Sequence, residues 1–176
     1  MASKRSAKLL KSKGGILLDL GCGARKQSEY WVGMDKRPLP NVDIVHDLEV
    51  LPYPFDDNSV LTCVASHVLE HLKPWLTIDI FNEVWRIMKV DGQFVIGVPY
   101  GTGHGFVQDP THCNPFNEST FYYFDPYPTA FGWNEEKKIE GQFNVLYDIY
   151  KPKPWKIQDC YWESNGNLSA VLRKRG

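Results

Sequence analysis

The chain has 176 residues, of which 43% are hydrophobic and 23% charged, and its formal net charge is −1. This balance is typical of a soluble globular domain and excludes the disordered and low-complexity classes. No apolar run approaches the roughly 20 residues that a membrane span needs, so we expect no membrane partner. The four cysteines are far apart and form no CxxC pair. That spacing predicts neither a disulfide framework nor a zinc knuckle, and it favours a reducing, cytoplasmic compartment.

Basic residues are concentrated at the two ends of the chain. Residues 1–13 carry five basic residues and no acidic one, and residues 173–175 add three more. The stretch between them holds twelve basic and twenty-one acidic residues, which makes a poor electrostatic surface for nucleic acid. We interpret both basic ends as solvated tails. The length predicts one domain, residues 14–176, preceded by the basic segment 1–13.

Short apolar runs bounded by turn residues predict a series of buried strands. The predicted strands are 16–20, 30–34, 42–45, 60–65, 93–98, 143–150 and 168–172. The dipeptide Asn165-Gly166 is a turn signal directly before the last of them.

One segment between the fourth and fifth predicted strands has strong helical periodicity. Its apolar residues at helical spacing are Leu76, Ile80, Val84 and Ile87. Pro74 suits the first turn and Gly92 suits the exit, so a helix is expected between these two residues. Strands with helical segments among them predict an α/β fold. We expect a mostly parallel twisted sheet with an antiparallel edge strand and helices on both faces.

Aromatic residues are concentrated between positions 116 and 133. This stretch is expected to form a short helix and loop that cap the sheet edge where its strands end. Its rings could fill the core, or they could form a lid over a ligand, because long loops on α/β scaffolds often serve binding. Both interpretations stay open.

A glycine turn, DLGCG at 19–23, follows the first predicted strand directly. The dinucleotide fingerprint requires a third glycine where Lys26 stands, and the phosphate loop GxxxxGK[ST] is absent, so neither nucleotide motif fits. Asp35 ends the second predicted strand and Asp47 follows the third. A carboxylate at the second strand's end suits a ribose diol and would repel a phosphate. The pattern therefore indicates a nucleoside ligand that carries positive charge rather than phosphate.

Five stretches in a fixed order resemble one known family. They are LLDLGCG (17–23), VGMD (32–35), HDLEVLPYPFDDNSV (46–60), ASHVLEHL (65–72) and WRIMKVDGQFVIGVP (85–99). In this order they resemble the class I S-adenosylmethionine-dependent methyltransferases, particularly the small branch called type 11. The resemblance implies a Rossmann-like fold, S-adenosylmethionine as cofactor and S-adenosylhomocysteine as its product.

The resemblance also implies which residues hold the cofactor. These positions are Asp19, Gly21, Gly23, Asp35, Asp47, Leu48 and Ser66. Asp35 would bind the ribose hydroxyls, Asp47 and Leu48 would meet the adenine, and the other four would surround the methionine and the nearby ribose. Asp35 follows Gly23 by only twelve positions, so we expect the first crossover helix to be very short or missing.

Three histidines are candidates for moving a proton from the acceptor. His67, His104 and His112 follow the fourth and fifth predicted strands, on the side where the cofactor would lie. The acceptor is expected to be a small or sugar-like molecule, because [DNS]PP[YFW], the family's DNA-base signature, is absent after the fourth strand. RNA or a protein side chain is the second choice. A non-catalytic module that binds S-adenosylmethionine is the alternative to an enzyme.

Two patterns of metal-ligating residues compete with this interpretation. Residues 67–71, HVLEH, match the inverted zinc-peptidase motif HxxEH, which requires a helix that this context does not predict. His104, Asp109, His112 and Cys113 form a second group, which could be a hydrogen-bonded loop, an acid/base set or, least expected, metal ligands. We therefore expect no metal site.

Overall fold

The computed structural model describes residues 14–126 and 149–176. Within these residues, seven strands form one sheet. Their bounds are β1 Ile16–Leu20, β2 Val32–Asp35, β3 Ile44–Val45, β4 Val60–Ser66, β5 Met88–Pro99, β6 Trp155–Trp162 and β7 Asn167–Lys174.

The strands lie in the order β3-β2-β1-β4-β5-β7-β6. The first five strands pair in parallel, whereas β7 is antiparallel to both β5 and β6. The predicted fold class, a mostly parallel sheet with antiparallel pairing at one edge, is confirmed. The antiparallel strand is next to last at that edge, and β6 lies outermost. Successive strands are added on one side of β1 as far as β3 and on its other side from β4, so the strand order switches between β1 and β4. Open α/β sheets bind ligands beyond the strand ends at such a point.

The longest described helix is α1, Thr77–Ile87, which packs an apolar stripe into the core. The buried residues of this stripe are Ile80, Phe81, Val84 and Ile87, so the predicted periodicity is confirmed. Two short helices follow, α2 His104–Val107 and α3 Glu118–Tyr122. In the described part of the chain, no helix is long and apolar enough to cross a membrane.

The predicted exit of this helix at Gly92 is wrong. The helix ends at Ile87, and Met88 already pairs with Val60 as the first residue of β5. Gly92 lies inside β5, where an added Cβ would come within 2.9 Å of the Leu61 carbonyl oxygen. The glycine therefore allows a close approach of two backbones rather than a helix exit.

The connection from β1 to β2 confirms the expectation of a missing crossover helix. Its eleven residues, 21–31, form turns and bends with no helical residue. The backbone N–H of Gln27 donates to Asp19 Oδ2 at 2.9 Å, and the Lys26 ammonium lies 2.6 Å from Asp43 Oδ2. Polar contacts to the ends of the strands thus hold this loop in place of helix packing.

Two predictions for the last third of the chain need correction. The sequence pattern did not predict β6, because a bulge between Ile157 and Asp159 breaks its alternation of buried and exposed residues. The predicted strand 143–150 lies outside the described residues except for Ile149 and Tyr150, which are helical. The predicted last strand and the turn at Asn165-Gly166 are confirmed by the hairpin that joins β6 to β7.

The aromatic stretch fills the core as far as the structure describes it. Phe116, Phe121 and Phe124 are buried, and the Phe124 ring stacks on Phe81 of α1 with a centroid separation of 4.2 Å. The predicted short helix is α3, which begins with a capping box formed by Asn117 and Thr120. The rest of the stretch, residues 127–133, lies outside the described residues, so the lid interpretation is untested there.

The basic residues at the end of the chain are not solvated tails. Lys174 is buried, donates to the Met88 carbonyl and lies 3.8 Å from the centroid of the Trp85 ring. Arg175 forms an ion pair with the buried Asp125 at 2.9 Å. Residues 1–13 lie outside the described residues.

Candidate functional site

A cavity of about 440 Å³ opens beyond the carboxyl ends of the parallel strands. Five of the predicted site residues line it, namely Gly21, Asp35, Asp47, Leu48 and His67. Its volume lies in the range of small-molecule sites. Asp19, Gly23, Ser66, His104 and His112 are not among the lining residues.

The glycine turn brings the backbone to the edge of this cavity. Gly21 has a φ of +65°, and its N–H donates to the Met34 carbonyl of β2 at 2.7 Å. A Cβ at this position would lie 2.3 Å from the Val68 side chain. Both conformation and space therefore require glycine here.

Asp35 at the end of β2 is buried but faces the cavity. Its Oδ2 accepts from the Gly23 N–H at 2.9 Å, and its Oδ1 accepts from the Arg37 N–H at 2.9 Å and the Arg37 Nε at 3.2 Å. Burial alone would raise the pKa of Asp35. The bonds from Arg37 and Gly23 outweigh burial and lower that pKa below its usual value. Gly23 thus acts through Asp35, which stays ionised.

Asp19 does not line the cavity and instead holds the loop between β1 and β2. It is buried at the end of β1, and it accepts the Gln27 N–H that anchors the loop between β1 and β2. Burial raises the pKa of Asp19 despite this hydrogen bond. Its described role is to hold the loop that carries the glycine turn.

Asp47 and Leu48 form another wall of the cavity, after β3. The Asp47 side chain is exposed and accepts the Glu49 N–H at 3.0 Å. Leu48 is buried, and its carbonyl accepts from the Tyr53 hydroxyl at 2.9 Å. Ser66, at the end of β4, is exposed and lies beside this cavity rather than in its lining.

His67 follows β4 in a left-handed conformation with φ of +51°. This conformation is uncommon for a residue with a Cβ and is often found at functional sites. Its Nδ1 lies 3.2 Å from Glu70 Oε1, and its Nε2 lies 3.2 Å from the Asn167 amide nitrogen. Of the three predicted catalytic histidines, His67 is the one that lines the cavity.

The other two predicted histidines lie elsewhere. His104 begins α2 and is exposed, whereas the His112 ring is largely buried beside His71, with their centroids 4.6 Å apart. The backbone N–H groups of Cys113 and Asn114 donate to the Glu70 carbonyl at 2.9 and 3.0 Å. The segment around His112 is therefore fixed against the turn after β4, while His104 is not.

The zinc-peptidase interpretation of HVLEH does not fit the structure. Residues Leu69–His71 form a single 3₁₀ turn, and His67 precedes it in the left-handed conformation, so the required helix is absent from this described segment. Glu70 and His71 of the motif instead meet His112, forty-one positions after His71. Of the predicted cluster of His104, Asp109, His112 and Cys113, the structure brings together Asp109 and His112, with Asp109 Oδ2 3.7 Å from His112 Nε2. His104 and Cys113 are exposed.

Sequence reasoning missed several residues of the cavity wall. They are Lys36, Arg37, Glu49, Val68, His71, Leu72 and Thr111. Three of the seven directly follow a predicted site residue, namely Lys36, Glu49 and Val68, and adjacency was the available signal for these. Thr111 precedes the predicted His112, but His112 does not line the cavity, and only the folded chain brings Thr111 to this wall.

Residues 18–96 match a family model described as a methyltransferase domain. This segment runs from β1 into β5 and contains the five motif stretches except Leu17 of the first and residues 97–99 of the last. Residues 18–96 carry a methyltransferase domain. The predicted family, enzyme class and cofactor are thereby confirmed. A search of curated proteins finds no match to this chain.

Solved structures share the fold of this methyltransferase domain. An S-adenosylmethionine-dependent methyltransferase from Archaeoglobus fulgidus has 17% identity over 97% of this chain and 90% of its own, with a TM-score of 0.58. The 1,6-didemethyltoxoflavin-N1-methyltransferase of Burkholderia thailandensis, solved with 1,6-didemethyltoxoflavin and S-adenosylhomocysteine, has 14% identity over 97% and 76%, with a TM-score of 0.59. A methyltransferase in complex with the Haloferax volcanii activator Trm112 has 14% identity over 97% and 89%, with a TM-score of 0.56.

The cavity of the methyltransferase domain fits a cationic nucleoside. Its wall holds the Asp35 carboxylate, whose oxygens already accept from several N–H groups and could accept hydroxyl donors in the same way. Leu48, Val68 and Leu72 supply apolar surface for a flat ring, and Asp47 lines the same cavity. Acidic side chains also suit a positively charged sulfonium.

Proposed function

We propose that this chain transfers the methyl group of S-adenosylmethionine to a small-molecule acceptor. The cofactor supplies a methyl group already activated on a sulfonium sulfur. What the residues must do is hold the cofactor and the acceptor in line and exclude water. The observation that carries the proposal is the Asp35 carboxylate at the end of β2, facing a cavity bordered by a glycine turn.

We propose the cofactor-binding roles that the resemblance implies, and the cavity wall supports several of them. Asp35 accepts hydrogen bonds from the two ribose hydroxyls, Asp47 accepts one from the adenine amino group, and the Leu48 backbone meets the adenine ring. The backbone at Gly21 borders the ribose and the methionine, and Ser66 lies beside the methionine. Asp19 and Gly23 act indirectly, because Asp19 holds the loop and Gly23 donates to Asp35.

We propose that His67 is the side chain that takes a proton from the molecule that accepts the methyl group. Since Nε2 of His67 faces the Asn167 amide nitrogen, it is the acceptor atom of the ring, and Nδ1 carries the proton. Nε2 would take a proton from a methyl acceptor bound in the cavity in place of its hydrogen bond from Asn167. His104 and His112 do not line the cavity, so both are weaker candidates for this role.

Two observations support a small acceptor. The body of the chain is acidic, and Lys174 and Arg175 at its end are engaged in intramolecular contacts. The described residues therefore offer little positive surface for RNA. One structural relative is a methyltransferase solved with the small molecule 1,6-didemethyltoxoflavin.

The free thiols of Cys22, Cys63, Cys113 and Cys160 are consistent with a reducing, cytoplasmic setting.

The test is methyl transfer from labelled S-adenosylmethionine to a cell extract separated into small-molecule, RNA and protein fractions. We expect label in the small-molecule fraction, lost in Asp35→Asn. Label in the RNA or protein fraction would move the acceptor to that class. S-adenosylhomocysteine binding without transfer to any fraction would favour the non-catalytic module.

The His67 role has its own test with the identified acceptor. His67→Gln is expected to lower turnover at least about tenfold while leaving S-adenosylhomocysteine affinity unchanged. His104→Gln and His112→Gln test the other two candidates, and a larger loss in either would move the role to that residue. His46→Gln serves as the matched control.

A further inference from the structure

Three possible metal ligands, Glu70, His71 and His112, meet beside the cavity, and no hydrogen bond joins them in the described part of the chain. Glu70 is completely buried, and neither of its carboxylate oxygens has a hydrogen-bond partner in the described part of the chain. Each of these three residues offers one possible ligand atom, and the three atoms lie within 4.8 Å of one another. Glu70 Oε1 is 4.0 Å from His112 Nε2, which is too long for a hydrogen bond.

Outer contacts fix which nitrogen of each imidazole carries the proton. His112 Nδ1 lies 2.9 Å from the Phe106 carbonyl oxygen, which can only accept, so Nε2 keeps a free lone pair. His71 Nδ1 lies 2.9 Å from Thr111 Oγ1, whose own proton goes to Asp109 Oδ1 at 2.7 Å. Nδ1 of His71 is therefore also the donor, and Nε2 is the nitrogen with the lone pair in its neutral imidazole. Metal-ligating histidines have such a partner on the other ring nitrogen.

We propose that Glu70, His71 and His112 bind one divalent first-row transition metal ion at the wall of the cavity. Two imidazoles and a carboxylate form a ligand set that binds zinc or iron(II) and leaves a coordination position open. Ligand atoms about 2.0–2.2 Å from such an ion lie roughly 3.3 Å apart, so a small inward movement closes the site. The ion supplies the positive charge that the buried carboxylate lacks.

The ion would border the space assigned to the cofactor and acceptor. His71 and Thr111 both line the cavity, while Glu70 lies beneath them. The ion would also join the turn after β4 to the segment around His112, which meet through backbone hydrogen bonds to Glu70. The metal site does not depend on methyl transfer and can be tested without the cofactor.

A protonated His67 is the competing partner for the Glu70 carboxylate. Its Nδ1 is 3.2 Å from Oε1, but the two are not aligned as a hydrogen bond. The His67 side chain is half exposed, and the Asn167 amide nitrogen faces its other ring nitrogen. If His67 alone balanced Glu70, the chain would need no metal at this place.

The experiment measures zinc binding to the full chain after chelator treatment and dialysis. We expect one equivalent of Zn²⁺ per chain by elemental analysis, with its affinity measured against a chromophoric chelator. Co²⁺ in place of zinc should give the visible absorption of a nitrogen- and oxygen-ligated ion. In Glu70→Gln, His71→Gln and His112→Gln we expect the affinity to fall at least about tenfold.

His46→Gln is the matched control, because His46 contacts the Val50 carbonyl outside this group of three residues. Its affinity for zinc should equal that of the unmodified chain. Thermal unfolding with and without Zn²⁺ detects a variant that fails to fold, since bound metal raises the melting temperature only of a folded site. Glu70→Gln is the most informative variant because the side chains have nearly the same shape and no described hydrogen bond is lost.

Two results would overturn the proposal. One is substoichiometric binding by the unmodified chain, with no cobalt spectrum. The other is equal affinity in Glu70→Gln and His46→Gln, which would assign the zinc to exposed histidines.

Discussion

Arg37 covers the carboxylate of Asp35 from the cavity side of β2. Its Nε lies 3.2 Å from Asp35 Oδ1, the same oxygen that accepts the Arg37 backbone N–H at 2.9 Å. The Arg37 side chain is 60% exposed, so the ion pair is screened by solvent and can exchange for another donor. A ribose hydroxyl would compete with this guanidinium for the same atom.

We predict opposite effects on cofactor affinity from substitutions in this pair. Asp35→Asn should weaken S-adenosylhomocysteine binding at least about tenfold, because it removes an ionic acceptor for the ribose. Arg37→Ala should leave the affinity equal or tighter, because it removes the competitor. Titration calorimetry measures both, and a large loss in Arg37→Ala would mean that the guanidinium itself holds the cofactor.

The lowered pKa of Asp35 predicts a pH-dependent stability difference. A carboxyl whose pKa is below its usual 3.8 in the folded state stabilises the fold above that pH, and this contribution is lost as pH falls through the folded value. The quantity to compare is the difference in free energy of unfolding between the unmodified chain and Asp35→Asn. This difference should be constant above about pH 5 and shrink below about pH 4. Urea unfolding at several pH values measures it. A difference that grows on acidification would contradict the assignment.

Alanine substitutions at Gly21 and Gly166 distinguish the cost of backbone strain from the cost of steric overlap. Both have a positive φ, but a Cβ at Gly166 meets nothing within 4 Å, whereas one at Gly21 lies 2.3 Å from Val68. Gly166→Ala should cost about 1–2 kcal/mol of unfolding free energy through conformation alone. Gly21→Ala should cost more and should also weaken cofactor binding. In the Gly21→Ala/Val68→Ala double variant, part of the overlap is relieved, so recovery of some stability is expected in chemical denaturation.

Glu70 and Glu83 are two buried glutamates that should respond oppositely to the same substitution. Glu83 accepts from the Tyr53 N–H at 2.6 Å and from Arg86 at 2.6 and 2.9 Å. Glu83→Gln should therefore lower the free energy of unfolding by about 2–3 kcal/mol. Glu70→Gln should raise it by about 1 kcal/mol in the presence of a chelator, because an unpaired buried charge is removed. Destabilisation by Glu70→Gln without metal would show that His67 pairs with it.

Much of the fold was predictable because its signals are local. The strands from β1 to β5 coincide with apolar runs, and α1 follows an apolar stripe with the period of a helix. Strand β6 was not predictable in this way, since its bulge changes which residues face the core. The end of α1 was misplaced because the pairing of Met88 with Val60, and not a local exit signal at Gly92, decides where β5 begins.

The same division applies to the site. The sequence alone determined the glycine turn and the carboxylates at neighbouring strand ends, because backbone conformation and strand ends are set by residues adjacent in the chain. Only the tertiary structure decided that Glu70 and His71 meet His112 and that Thr111 reaches the cavity. Contacts between residues forty positions apart depend on how the loop after β5 packs on the turn after β4, and no local pattern encodes that packing.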